Sequence, residues 1–136
     1  MRFCKQRDKY SCGAIALLNI DKFFGHRATY QDLPRYQELV KCGRPHGTLI
    51  RNMTRVLGRA SRRSWRNAKR FLQKRNCILI LSGWGNGGHY FLMVMDNRNY
   101  HLVNHESSAV IGISSQDASW ILKHAKRTWY VSEGIL

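Results

Sequence analysis

The sequence predicts an α+β fold in which N-terminal helices pack on an antiparallel β-sheet. Up to Leu72 the apolar residues recur at helical spacing, whereas from Cys77 onward they come in short runs separated by turn residues. The third observation is the order itself, helices first and strands after.

Cys12 to Phe24 sets Ile15, Leu17, Leu18, Phe23 and Phe24 among small residues, the composition of a largely buried helix. Ser11 is placed to cap it and Gly25 to stop it, so Cys12 falls in the first turn. Thr29 with Asp32 three residues on reads as a capping box for a short helix ending near Lys41. Thr48 is expected to cap a third helix, with Leu49, Met53, Val56, Leu57 and Ala60 on one face and Arg51, Arg55, Arg59 and Arg62 on the solvent face. Trp65, Ala68, Phe71 and Leu72 mark a fourth.

Cys77 to Leu81 is a short apolar run expected as a buried strand. A Gly-rich loop from Gly83 to Gly88, carrying Trp84, separates it from the apolar run His89 to Met95. Asp96 to Asn99 supplies turn residues, and Tyr100 to Asn104 returns as a third strand. Gln116 to Lys126 reads as a surface helix capped by Ser114, and Thr128 to Val131 as a last strand.

The chain has 136 residues, of which 43% are hydrophobic, and one domain over 1–136 is expected. No apolar run approaches the roughly 18 residues that span a bilayer. The charged stretch Met1 to Lys9 is not followed by a hydrophobic segment of signal-peptide type, so a cytoplasmic location is the expectation. Cys4, Cys12, Cys42 and Cys77 are too scattered for a disulfide framework and form no paired zinc motif, so no metal or other cofactor is expected.

The net charge is +15, and a run of cations from Lys41 to Arg75 lies inside a stretch, Leu39 to Met95, without one Asp or Glu. Such a field attracts polyanions, nucleic acid among them, through the face expected to carry Arg51, Arg55, Arg59 and Arg62. No helix-turn-helix, zinc-finger or ribonucleoprotein motif accompanies the charge, so base-specific reading has no support.

One cysteine has an address that suits chemistry. A nucleophilic cysteine acts as thiolate, which the N-terminus of a helix beside an imidazole favours. Cys12 has the first property. His89 opens one strand and Asn104 closes the next, so a hairpin turning at Asp96 to Asn99 would make them cross-strand neighbours, with Asn104 orienting the ring. Gln6 could supply a side-chain amide to an oxyanion. His105 adjoins Asn104 and is the runner-up for involvement; Cys4, Cys42 and Cys77 are expected to be structural.

With these residues in view, the chain resembles the papain-like peptidases of bacteriocin exporters, the double-glycine leader peptidases. The resemblance rests on Gln6, on Cys12-Gly13-Ala14-Ile15-Ala16-Leu17-Leu18, on Phe23-Phe24-Gly25, on Tyr30 to Leu33, on Gly47-Thr48-Leu49 and on Gly88-His89-Tyr90-Phe91-Leu92-Met93-Val94, in that order. It covers roughly Gln6 to Asn104. It implies a papain-like fold, Cys12 as nucleophile, His89 as general base and later acid, Asn104 as the residue orienting it and Gln6 in the oxyanion hole. It further implies a polypeptide substrate, cut at Gly-rich sites. The family's third residue is usually Asp followed by Pro, where this chain has Asn104 followed by His105. The exporter's membrane and ATPase parts are not in the sequence, so a free-standing relative is expected.

Two other classes stay open at this level. A binding module with a vestigial site would work through the basic face, and acyl transfer would need the same three residues as hydrolysis.

Overall fold

The computed structural model describes residues 2–43, 47–83, 88–106 and 108–136. It contains helices α1 (Cys12–Phe23), α2 (Leu33–Leu39), α3 (Ile50–Leu57), α4 (Trp65–Gln73) and α5 (Ser115–His124), with a short 3-10 turn at Tyr30–Asp32. The strands are β1 (Cys77–Ser82), β2 (His89–Asp96), β3 (Asn99–Val103), β4 (Val110–Ile113) and β5 (Arg127–Val131). They form one antiparallel sheet in the order β4-β3-β2-β1-β5. This is the α+β arrangement the residue patterns predict.

Side-chain alternation along the strands divides the core in two. Cys77, Leu79, Leu81, Tyr90, Leu92, Val94, Val103, Trp129 and Val131 share a cluster with α1. Ile78, Ile80, Phe91, Met93, Tyr100 and Leu102 share the other with Ala68 and Leu72 of α4 and Ala118 and Leu122 of α5. Burial on both faces is why β1 and β2 are continuous apolar runs rather than alternating ones.

Helix α1 is buried from Cys12 to Asp21, and its two buried polar side chains tie the chain's ends to it. The Asn19 side chain accepts from the Cys4 N–H (2.7 Å) and donates to the Cys4 carbonyl (2.8 Å). Asp21 accepts from the Tyr36 hydroxyl (2.6 Å) and from the backbone N–H groups of Ile135 and Leu136. The clamp on Cys4 brings Gln6 alongside the start of α1.

Several elements differ from expectation. Ser11 occupies the position before α1 but does not cap it; its hydroxyl donates to Asp8 and accepts from Gln37. Thr48 caps nothing either, because α3 begins at Ile50 after Leu49. Gly58, at φ +89, ends α3 at Leu57, so Ala60, Arg59 and Arg62 lie beyond it and the expected four-arginine stripe does not form. Arg62 instead donates to the carbonyls of Leu122 (3.2 Å), Lys123 (2.8 Å) and Ala125 (2.6 Å), closing the C-terminus of α5.

Ser64 and Ser114 cap α4 and α5 through the N–H groups of Asn67 and Asp117. The β2–β3 turn uses Asn97 and Arg98 at φ +49 and +66, the two left-handed residues a tight hairpin needs. Strand β4 was not expected: it is four residues long, buries none of them fully and includes Gly112. Most of the Gly83 to Gly88 loop, including Trp84, lies outside the described residues. Among the described residues no helix is long and apolar enough to cross a membrane.

Candidate active site

Cys12 is the first residue of α1 and is buried. With no side-chain cap at this helix end, the N–H groups of the first turn are free of side-chain acceptors, and those of Cys12 and Gly13 reach the Cys12 sulfur. A third donor, the backbone N–H of Tyr90, reaches it from β2. These contacts favour the thiolate, but burial outweighs them and the nearby Asp8 charge adds to burial, so the thiol sits above its ordinary value of 9.0.

Asp8 shapes the approach to this helix. Its carboxylate accepts from the N–H of Tyr10 (2.7 Å), the N–H of Ser11 (2.9 Å) and the Ser11 hydroxyl (2.8 Å). The Asp-x-x-Ser spacing from Asp8 to Ser11 is the sequence signal for such a turn.

His89 and Asn104 meet, though not as cross-strand neighbours. The register runs from Leu92 opposite Val103 to Asp96 opposite Asn99, and β3 ends at Val103. Asn104 follows at φ +58, a left-handed conformation that Asn tolerates, and this turns its main-chain carbonyl to within 2.6 Å of His89 Nε2. A carbonyl only accepts, so the neutral imidazole carries its proton on Nε2 and leaves the Nδ1 lone pair as the basic site. Nδ1 has no hydrogen-bond partner among the described residues.

The Asn104 side chain does something else. Its Oδ1 accepts from the Gln6 backbone N–H (3.0 Å) and its Nδ2 donates to Gln6 Oε1 (2.9 Å). Gln6 Nε2 donates to the Asp8 carbonyl (2.9 Å), with its second N–H uncommitted among the described residues. Gln6, His89 and Asn104 are thus one hydrogen-bonded group. Cys12 lies outside this group: no hydrogen bond links its sulfur to the His89 ring among the described residues.

Thr48 and Tyr90 complete the surroundings. The Tyr90 hydroxyl donates to the Thr48 carbonyl (3.1 Å), while the buried Thr48 hydroxyl has no partner among the described residues. Gly13 is needed there, because a Cβ on it would lie 2.4 Å from Thr48 Oγ1 and 2.7 Å from Thr48 Cβ. Gly13→Ala is therefore expected to cost about 1–3 kcal/mol in chemical denaturation and to slow alkylation of Cys12. Adding Thr48→Gly should recover most of the stability; no recovery would mean the strain lies elsewhere.

His105 lies beside the group, its ring edge-on to Phe91 at 4.5 Å. Burial lowers its pKa, the nearby Glu106 raises it, and the neighbouring His89 lowers it further. Of the remaining thiols, Cys42 donates to the Tyr10 carbonyl (3.2 Å), and burial raises Cys4, Cys42 and Cys77 alike. Among the described residues no cluster of three or more His, Cys, Asp or Glu is set to hold a metal ion.

No protein-family model matches the chain, and no curated protein matches it in sequence. Among solved structures it is similar to the peptidase domain of Streptococcus ComA, a bi-functional ABC transporter involved in a quorum-sensing pathway. The match has a TM-score of 0.62 over 95% of this chain and 96% of that one, at 15% identity. The fold is therefore that of a papain-like peptidase domain, resembling the exporter peptidases.

Proposed function

From this fold and site we infer that the chain is a cysteine peptidase whose single domain, residues 1–136, hydrolyses peptide bonds with Cys12, His89, Asn104 and Gln6. One observation carries the reading: Cys12 opens α1, which packs on β2, while at the start of β2 His89 Nε2 is held at 2.6 Å by the carbonyl of Asn104, whose side chain is bonded to Gln6.

The chemistry follows from the donor directions. His89 Nδ1 takes the thiol proton as Cys12 Sγ attacks the substrate carbonyl carbon. The resting thiol is protonated and not yet bonded to the ring, a contact that tightens when substrate binds. The oxyanion is met by the Cys12 N–H and by the second N–H of the Gln6 amide. The protonated ring then gives its proton to the leaving amine, the thioester forms, and His89 activates water to release the acid. Asn104 contributes its carbonyl to the imidazole and its amide to Gln6. The resemblance to leader peptidases favours substrates with glycine at the scissile position.

The test is intact-mass analysis after exposure to glycine-containing peptide vinyl sulfones. A single adduct mapped to Cys12 is expected, and cleavage persisting in Cys12→Ala would remove the reading. Because burial raises the thiol, iodoacetamide labelling of Cys12 should climb as pH rises past 9.0. A rate already flat at neutral pH would contradict a resting thiol.

A further inference from the structure

Of the cations expected on α3 only Arg51 and Arg55 lie on it, and a denser group stands on α4. Helix α4 buries Ala68 and Leu72 and leaves Arg66, Lys69, Arg70 and Lys74, at or just past it, exposed. Helix α5 lies beside it on the same face of the sheet, burying Ala118 and Leu122 in the same cluster. The two run antiparallel: Arg62, just before α4, grips the last carbonyls of α5, while Gln73 and Ser115 line one cavity at the other end. Their outer sides thus make one continuous surface.

That surface is unbalanced in charge. None of these α4 cations, nor Lys123 on α5, has an ion-pair partner among the described residues. Asp117, in the first turn of α5, is the one carboxylate on either helix.

At the centre of α5 stands Trp120, 61% exposed, the one large hydrophobic side chain that these two helices show to solvent. Its ring is stacked on His124 at 4.2 Å and 25°, and His124 Nδ1 is held by the Trp120 carbonyl at 2.9 Å. A pinned imidazole on one side leaves a fixed indole among unpaired cations.

We propose that the outer face of α4 and α5 binds single-stranded nucleic acid, with Arg66, Lys69, Arg70 and Lys123 on phosphates and Trp120 stacked on a base. Cations on a backbone and an aromatic plane for a base are the two elements single strands require. An acidic polypeptide would satisfy the cations but does not present a flat ring at every repeat of its charge, as a single strand does. An anionic bilayer would need a contiguous apolar face, which a single tryptophan among polar residues does not supply. The face lies across the sheet from α1 and its cysteine, so an occupant would leave the thiol open.

The experiment is fluorescence anisotropy with labelled oligothymidylate, using the Cys12→Ala protein so that binding is scored apart from peptide cleavage. At about 50 mM salt the protein should bind, and Arg66→Ala/Arg70→Ala should weaken binding about tenfold while flattening the slope of log Kd against log salt by roughly 1.4. Trp120→Ala should also cost about tenfold on the single strand and much less on a duplex of the same length, with Trp120→Phe retaining most of the affinity. Arg51→Ala/Arg55→Ala, on α3, should leave binding unchanged. Circular dichroism confirms that each variant is folded. The proposal is overturned by no binding at that salt, by equal affinity in the α4 pair, by polyglutamate competing as well as the oligonucleotide with Trp120→Ala neutral, or by capture on phosphatidylserine vesicles without oligonucleotide binding.

Discussion

His89→Ala is expected to lower the rate of acyl-enzyme formation about a thousandfold or more, while leaving the protein folded. The reason lies in the resting site, where burial keeps Cys12 protonated and the N–H groups of Cys12, Gly13 and Tyr90 do not compensate. Without Nδ1 nothing at hand takes the proton. Millimolar imidazole should restore part of the lost rate, and a variant as fast as wild type would exclude His89 as base. Asn104 gives a finer contrast, since its left-handed backbone suits glycine. In Asn104→Gly the carbonyl on Nε2 is retained and the two bonds to Gln6 are lost. A loss of about tenfold, mainly in kcat, is expected; a loss as deep as in His89→Ala would mean that the side chain orients the ring.

Asp21→Ala is expected to destabilise the fold by about 3 kcal/mol, lowering the melting temperature by roughly 10 °C. The carboxylate is 0% exposed and serves three donors, so its removal strands the Tyr36 hydroxyl and frees the last residues of the chain. Tyr36→Phe removes one donor and should cost about 1–2 kcal/mol, and the double variant should cost less than the two together. Burial first, then Asp21, raises the Tyr36 phenol above its ordinary 10.0. Stability from that contact is whole below pH 10.0 and is lost as pH rises toward the folded-state value. An unchanged melting temperature in Asp21→Ala would show that the chain end is held by other contacts.

Helix α1, the strands β1, β2 and β3 and the hairpin between them are legible because apolar spacing reports which faces a segment buries. Strand β4 and the end of α3 are not legible for the same reason: β4 buries little, and Gly58 interrupts a pattern that otherwise continues through Ala60.

By itself the sequence determined the α+β class and the positions of Cys12 at a helix start and His89 at a strand start. Tertiary structure alone decided which atoms meet. The Asn104 carbonyl rather than its amide holds the imidazole, Thr48 demands glycine at position 13, and α5, with Trp120 exposed, packs beside the cationic α4. Periodicity is a local average over burial, whereas each of these contacts turns on one dihedral, one register or one approach between residues distant in the chain.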